Sequence, residues 1–172
     1  MTSREIVSTP RLRLRLLAPD DAVFIHALVN DPDWLRYIGD RAVRTLEDAR
    51  AYIRNGPARM YETYGFGLYA VERRSDGAAM GLCGLIKRDT LPEFDLGFAF
   101  LPAHRGQGYA REAASMVLTE AREAFGLVRV LAITSLDNER SMALLERLGF
   151  RFERVIRLTP EDAGTRLYAL SL

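Results

Sequence analysis

Between residues 11 and 17 the chain alternates arginine and leucine, RLRLRLL, a period of two that predicts a first strand with Leu12, Leu14 and Leu16 inward and the arginines outward. The arginine row reads as a solvated strand face. Pro19, Asp20 and Asp21 then open a short helix through Leu28, since proline and acids suit a first helical turn, and Asn30-Asp31-Pro32 closes it. Thr45 with Asp48, a weaker form of the capping box, starts a second helix that Asn55-Gly56-Pro57 ends. Strands follow over residues 66–72 and 79–87, joined at Asp76-Gly77, and a third over 94–101 stops at Pro102. From Gly108, small or apolar residues at Ala110, Ala114, Val117, Ala121 and Phe125 give a long helix one buried stripe, ended by Gly126. A β-branched strand covers 128–134. Asp137-Asn138-Glu139 opens a last helix with Met142, Leu145 and Leu148 inward and Gly149 as its stop, and strands over 150–158 and 165–172 complete the chain. With no repeat, low-complexity tract or linker, this pattern describes one α+β domain over residues 1–172, a mixed sheet with about four helices.

Composition narrows the function classes. In 172 residues, 48% apolar and 27% charged with a net charge of +1, nothing provides a bulk attraction to nucleic acid or to an anionic membrane. The N-terminal stretch has neither the long apolar run of a membrane span nor the pattern of a signal peptide, and one cysteine makes no intrachain disulfide, so the expectation is a cytoplasmic protein. Cys83 lies in the apolar run AMGLCGLI and reads as a small buried hydrophobe. His26 falls in a helical segment and His104 in a loop; two histidines and one cysteine make a His/Cys metal site improbable, and no metal is expected.

The stretch LPAHRGQGYAREA, residues 101–113, places two glycines between a strand and the mouth of a long helix, directly after Arg105. Glycine there costs conformational entropy, so it signals either a tight turn or a ligand lying against bare backbone. A helix N-terminus offers unpaired N–H groups and a partial positive charge, which makes residues 105–110 an anion cradle. The dinucleotide pattern GxGxxG fails, because Arg111 stands at its third glycine, and the Walker pattern with its lysine is absent.

What fits is R-x-x-G-x-A at Arg105, Gly108 and Ala110, and with it the chain resembles the GNAT superfamily of N-acetyltransferases. RLRLR, YGFGLYAV, GLCGLI, DLGFAFLPAHRGQGYAREA and DNERSMALLERLGF occur in that family's order, most like its ribosomal-protein N-terminal acetyltransferase branch, over nearly the whole chain. The resemblance implies a mixed, mostly antiparallel sheet whose central strands, 94–101 and 128–134, splay apart, usually with the help of a bulge. It also implies acetyl-CoA as cofactor, with coenzyme A as product. Its pyrophosphate would lie on Arg105, Gly106, Gln107, Gly108, Tyr109 and Ala110, with Arg105 adding charge. Its pantetheine would pair with the backbone of Phe98, Ala99, Phe100 and Leu101 as a false strand. Asn138 and Ser141 match the family's N-x-x-[SA], which implies that Asn138 contacts the cofactor and Ser141 sits near the sulfur. Asparagine is also a good N-cap, and serine is at home in a first helical turn.

Acetyl transfer to an amine needs a base, since a free α-amine has a reference pKa of about 7.7–8.0. Glu93 and Asp95, two apart on the strand entering the site, are the candidates; members of the family often carry an acid at the Asp95 position. The alternative is that both are solvent-facing acids at a strand start. The tyrosine that many members place seven residues after the asparagine is replaced by Leu145. The implied acceptor is a primary amine, a protein or peptide N-terminus by the branch resembled, or else a small molecule. Trp34, Tyr37 and Arg41 are candidates for its pocket, although Trp34 serves equally well as a core anchor. A non-catalytic acyl-CoA-binding module is the rival reading, and a nucleic-acid-binding regulator is disfavoured by the neutral charge. The expected assembly is a monomer or homodimer.

Overall fold

The computed structural model describes residues 4–172. Eight strands form one sheet: β1 (Glu5–Ser8), β2 (Leu12–Arg15), β3 (Leu68–Arg73), β4 (Ala79–Ile86), β5 (Asp95–Phe100), β6 (Arg129–Ser135), β7 (Arg151–Ile156) and β8 (Thr165–Ser171). Their order is β1-β2-β3-β4-β5-β6-β8-β7, and every neighbouring pair is antiparallel except β5 with β6. Helices α1 (Ala22–Val29), α2 (Pro32–Tyr37), α3 (Leu46–Asn55) and α4 (Pro57–Tyr64) lie between β2 and β3. Helix α5 (Tyr109–Glu123) follows β5, and α6 (Glu139–Arg147) follows β6.

Side-chain alternation sorts the core by face. Ala70, Leu82 and Ala99 point to the side covered by α1 and α3, where Ile25, Leu28, Ala49 and Ile53 pack. Val71, Cys83, Leu96 and Phe100 point to the other side, under α5 and α6, with Ala113, Ala114, Val117, Ala121 and Leu145. The stripe expected on the long helix is therefore its packing face, with Ala110 and Phe125 partly buried at its ends.

The pattern hid three elements. Strand β1 is a four-residue edge without alternation. Asp31 and Pro32 end α1, as expected, but they also start α2: the Asp31 side chain accepts the Asp33 N–H at 3.2 Å and Pro32 takes the first helical position. Pro57 likewise starts α4 directly after α3. The Thr45–Asp48 capping box is complete, each side chain accepting the other residue's N–H at 3.0 Å.

The arginine row is solvated at Arg11 and Arg13, whose side chains are 46% and 42% exposed, but not at Arg15. Leu12 and Leu14 are fully buried as expected, and the opposite side of the strand carries an ion-pair network covered by the turn before α1. Arg15 bonds Asp21 through both terminal nitrogens at 2.8 Å and also pairs with Glu72, which accepts from Arg13 at 2.7 Å. Side chains of Arg15, Asp21 and Glu72 are only 10–11% exposed, so each charge depends on its partners. Glu72→Ala is expected to destabilise the protein by roughly 3 kcal/mol, because truncating one partner strands buried charge. Urea denaturation checks this, and a Glu72→Ala midpoint equal to that of the parent chain would reduce the network to decoration.

Candidate active site

After β5 the chain makes a single 3-10 turn, Pro102–His104, and reaches Gly106 at φ +75° and Gly108 at φ +82°. Both dihedrals are left-handed. A Cβ on Gly106 would meet nothing within 4 Å, and one on Gly108 only the Arg11 side chain at 3.3 Å, so backbone conformation rather than crowding demands glycine here. Gly108 is the N-cap of α5 and, lacking a side chain, leaves the first N–H groups of that helix uncapped. Arg11, in the β1–β2 turn, secures the segment from outside. Its Nη1 donates to the Gln107 carbonyl at 2.9 Å, its Nε to Glu112 at 3.0 Å, and its guanidinium lies 4.5 Å from the centre of the Tyr109 ring. Nothing in the sequence pairs Arg11 with residues about a hundred positions away.

Arg105 faces away from the cradle it was expected to charge. Nη1 donates to Asp33 and Nη2 to Asp31, both at 2.7 Å, while Nε donates to the Phe100 carbonyl at 2.9 Å. The side chain thus clamps the turn to the N-terminus of α2. A second tie reaches α2 from the other strand: Arg36 pairs with Asp137, just before α6, at 3.0 Å and lies over the Tyr37 ring.

Between these ties the sheet opens. β5 and β6 share a single register pair, Asp95 with Leu131, where the Leu131 N–H donates to the Phe94 carbonyl at 2.9 Å. No bulge is involved, since β5 is in unbroken register with β4 from Asp95 to Phe100. The Leu101 N–H bonds Met80 of β4, so odd-numbered residues of this strand, including Ala99 and Leu101, spend their backbone groups on β4. Leu96, Phe98 and Phe100 turn theirs toward β6, Leu96 lying at the closed register pair, while the Phe100 carbonyl already serves Arg105. Two buried polar atoms near this gap have no protein partner, Oγ1 of Thr134 on β6 and Nδ1 of His104 beside the turn.

Asp95 stands at the closed end of the gap, 1% exposed, and its two carboxylate oxygens lie 3.1 and 3.2 Å from Nε of Arg88. Burial pushes its pKa above the ordinary aspartate value, and the Arg88 charge works against that shift. Asp95 is therefore no solvent-facing acid. Glu93 precedes the strand and turns elsewhere, to Arg129 at 3.3 Å, which also holds Glu153. The two candidate acids do not share a site.

Asn138 is the N-cap of α6, its Oδ1 accepting the Ser141 N–H at 3.3 Å. That geometry fits the capping reading, and the partly buried Ser141 hydroxyl is left without a side-chain bond. Leu145, one turn on, is 1% exposed in the core; a tyrosine there would have to displace packed neighbours. Of the acceptor candidates, Trp34 is 6% exposed within the core under α1 and α3, Tyr37 is partly buried against Arg36, and Arg41 is exposed on a cleft beside α3.

This arrangement has relatives. Residues 11–151 match the family model for the acetyltransferase (GNAT) domain. The chain is 32% identical over 163 residues to the Bacillus subtilis protein described as uncharacterized N-acetyltransferase YoaA, covering 93% of this chain and 90% of that one. Among solved structures, a putative GnaT-family acetyltransferase from Bordetella pertussis has a TM-score of 0.79 at 26% identity, with 96% of this chain and 99% of that one covered. RimL, a ribosomal L7/L12 alpha-N-protein acetyltransferase solved in complex with coenzyme A, shares the fold at a TM-score of 0.77 and 15% identity, with 98% of both chains covered. The chain belongs to the GNAT acetyltransferase family and is an N-acetyltransferase by that membership.

The Arg105 clamp generates a prediction of its own. Arg105→Ala leaves the buried Asp31 carboxylate without its cationic partner and the Phe100 carbonyl without the side-chain donor, an expected cost of about 1–3 kcal/mol. Amide hydrogen exchange should speed up in both segments at once, residues 100–108 and 31–37. Faster exchange confined to the glycine turn would show that α2 does not depend on the clamp.

Proposed function

We propose that this protein transfers the acetyl group of acetyl-CoA to a primary amine by direct attack, the amine being a protein or peptide N-terminus. The single observation that carries the reading is the gap between β5 and β6, opening from one register pair at Asp95 toward a left-handed glycine turn at the mouth of α5. The residues present fit the cofactor. Uncapped N–H groups at residues 109–111 suit a pyrophosphate, and the gap edge at Phe98 and the Phe100 N–H suits the pantetheine amides. Asn138 and Ser141 open α6, the helix that follows β6. Bound in the gap, acetyl-CoA supplies an acetyl group activated as a thioester.

The chain's own part is to orient the amine and remove its proton. Asp95 is placed for this at the closed end of the gap, where burial has made it a stronger base than an exposed aspartate. Because its oxygens are engaged by Arg88, a water is the natural relay between carboxylate and amine. The Ser141 hydroxyl would be available as a donor to the departing thiolate; a thiol has a reference pKa of about 8.5, so its departure needs little help. Cys83 is fully buried with its thiol pushed upward, and no covalent enzyme intermediate is needed. The likeness to RimL supports the peptide acceptor. A small amine is the second reading, and the cleft of about 390 Å³ beside α3 favours it.

Steady thiol release from acetyl-CoA in a panel of peptide N-termini and small amines tests the activity; none with any amine would sink it. Asp95→Asn is expected to lower kcat about 100-fold with acetyl-CoA affinity retained. In the parent enzyme kcat should fall as the pH drops through the raised Asp95 pKa, the active form being the carboxylate. That acid limb should vanish in the variant. Gly108→Val forces a β-branched residue to φ +82° against Arg11, so acetyl-CoA binding measured by calorimetry should weaken at least about tenfold. Unchanged affinity would leave Gly108 a turn residue only.

A further inference from the structure

On the sheet face that carries Asp95, residues 41–43 and helix α3 border an open surface cleft of about 390 Å³, lined by Arg41, Ala42, Val43, Asp48, Tyr52 and Asn55 among others. Its wall is held from several directions. Asn30 Nδ2 donates to the Val43 carbonyl at 2.9 Å and to the His26 carbonyl at 2.8 Å, and His26 Nε2 lies 3.1 Å from the Arg44 carbonyl. Asp40 pairs with Arg44 and accepts the Ala42 N–H at 2.8 Å. Among the described residues Ala42 is the only non-glycine with a positive φ, +57°, a conformation that costs energy and persists only where its surroundings impose it. That strained residue separates Val43, buried in the core, from Arg41, which is left at the cleft.

The charges around the cleft are spent, with one exception. Arg44 is paired with Asp40, and the Asp48 carboxylate accepts the backbone N–H groups of Arg44 and Thr45 at 2.9 and 3.0 Å. Arg41 has no ion pair or hydrogen bond among the described residues, and neither has the Tyr52 hydroxyl. Burial raises the Tyr52 hydroxyl above its ordinary pKa, while Arg41 and Arg88 both act in the opposite sense, so Tyr52 stands within the field of two arginines. It packs in the same cluster as Ala99, four residues along β5 from Asp95 and on the same face. With Asp95 matched by Arg88, the excess charge along this route is positive.

We propose that the amine acetylated by this enzyme carries a carboxylate close to its amino group, and that Arg41 and Tyr52 hold that carboxylate while the amine lies toward Asp95. The inference rests on the acetyl-transfer reading above. A guanidinium without an ion pair and a phenol lining one cleft offer charge-assisted and neutral donors to one planar anion, a combination suited to a carboxylate. A polyamine would bring its additional positive charge against Arg41 and is disfavoured by that charge. The carboxylate has two sources, the α-carboxylate of a free amino acid or the side chain of an acidic residue at a peptide N-terminus.

Matched acceptors separate these. Using the full chain and acetyl-CoA, kcat/KM is measured for amino acids against their C-terminal amides, and for peptides beginning with Asp or Glu against those beginning with Asn or Gln. The anionic member of at least one series should be preferred by about tenfold or more, the worth of a hydrogen bond between charged groups. The series showing the preference identifies the source. In Arg41→Gln the ratio should collapse toward one, Arg41→Lys should keep part of it, and Tyr52→Phe should reduce it. Equal rates for charged and neutral partners, or a preference surviving Arg41→Gln, overturn the proposal while leaving acetyl transfer intact. Absence of turnover with every amine counts against the acetyl-transfer reading instead. The cleft is then judged by titrating N-acetylglycine and its amide while following the Arg41 Nε–H resonance. A shift with the acid alone supports the carboxylate site, and no shift with either refutes it.

Discussion

Strands β5 and β6 run in parallel through the middle of the sheet and touch at one register pair, and the site is the consequence of how that partial separation is maintained. Two unpaired strand edges in a protein interior are costly, because each buried N–H or C=O without a partner forfeits a hydrogen bond. The fold holds them apart by anchoring each strand on its outer side, β5 in unbroken register with β4 and β6 in seven register pairs with β8. The closed end is fixed by side chains as well. Phe94, next to Asp95, packs its ring 4.8 Å from that of Phe66 and 5.1 Å from that of Tyr64, with Phe125 closing on Phe66 at 4.5 Å. The gap cannot zip shut without breaking one of these ladders, so its open edges remain available to a guest that supplies amides of its own.

Arginine does most of the long-range fastening around this gap. Of the 24 basic residues only Lys87 is a lysine, and the planar fork of arginine suits the bidentate and multi-partner roles found here. Arg105 joins three acceptors from β5 and α2, Arg11 joins the glycine turn to the first turn of α5, and Arg15 joins Asp21 and Glu72 beneath α1. The exposed pairs among them contribute little to stability singly. Their value is positional: each ties to the sheet or its turns a segment that strand pairing alone would leave independent.

These contacts also mark the boundary of what the sequence discloses. The strand order of hydrophobic runs, the long helix with its buried stripe and the need for glycine at residues 106 and 108 are written in local pattern, and the structure realises them. Helix α2 was legible in part, since Asp31-Pro32 is a start signal as well as a stop signal, but at six residues it has no periodicity to announce it. The partner of Asp95 was not legible. Arg88 lies seven residues earlier across a turn, and only the pairing of β4 with β5 brings its Nε to the carboxylate. The same holds for Arg105, whose acceptors are 72 and 74 residues away. Sequence supplied the charge of that side chain, and topology decided which anion it would meet.

That decision alters how the cradle works. An arginine free to swing onto a pyrophosphate would add binding through charge, with strength falling as salt screens it. Arg105 instead is held by two carboxylates, so its charge is already compensated before any ligand arrives. What the turn presents is backbone: uncapped N–H groups at the start of α5, preceded by two left-handed glycines and fastened by Arg11 at the Gln107 carbonyl and by Arg105 at the Phe100 carbonyl. Recognition built this way depends on the rigidity of the turn more than on its net charge. Because the same Arg105 side chain ends on the N-cap of α2, the glycine turn and the first turn of that helix share one fastening.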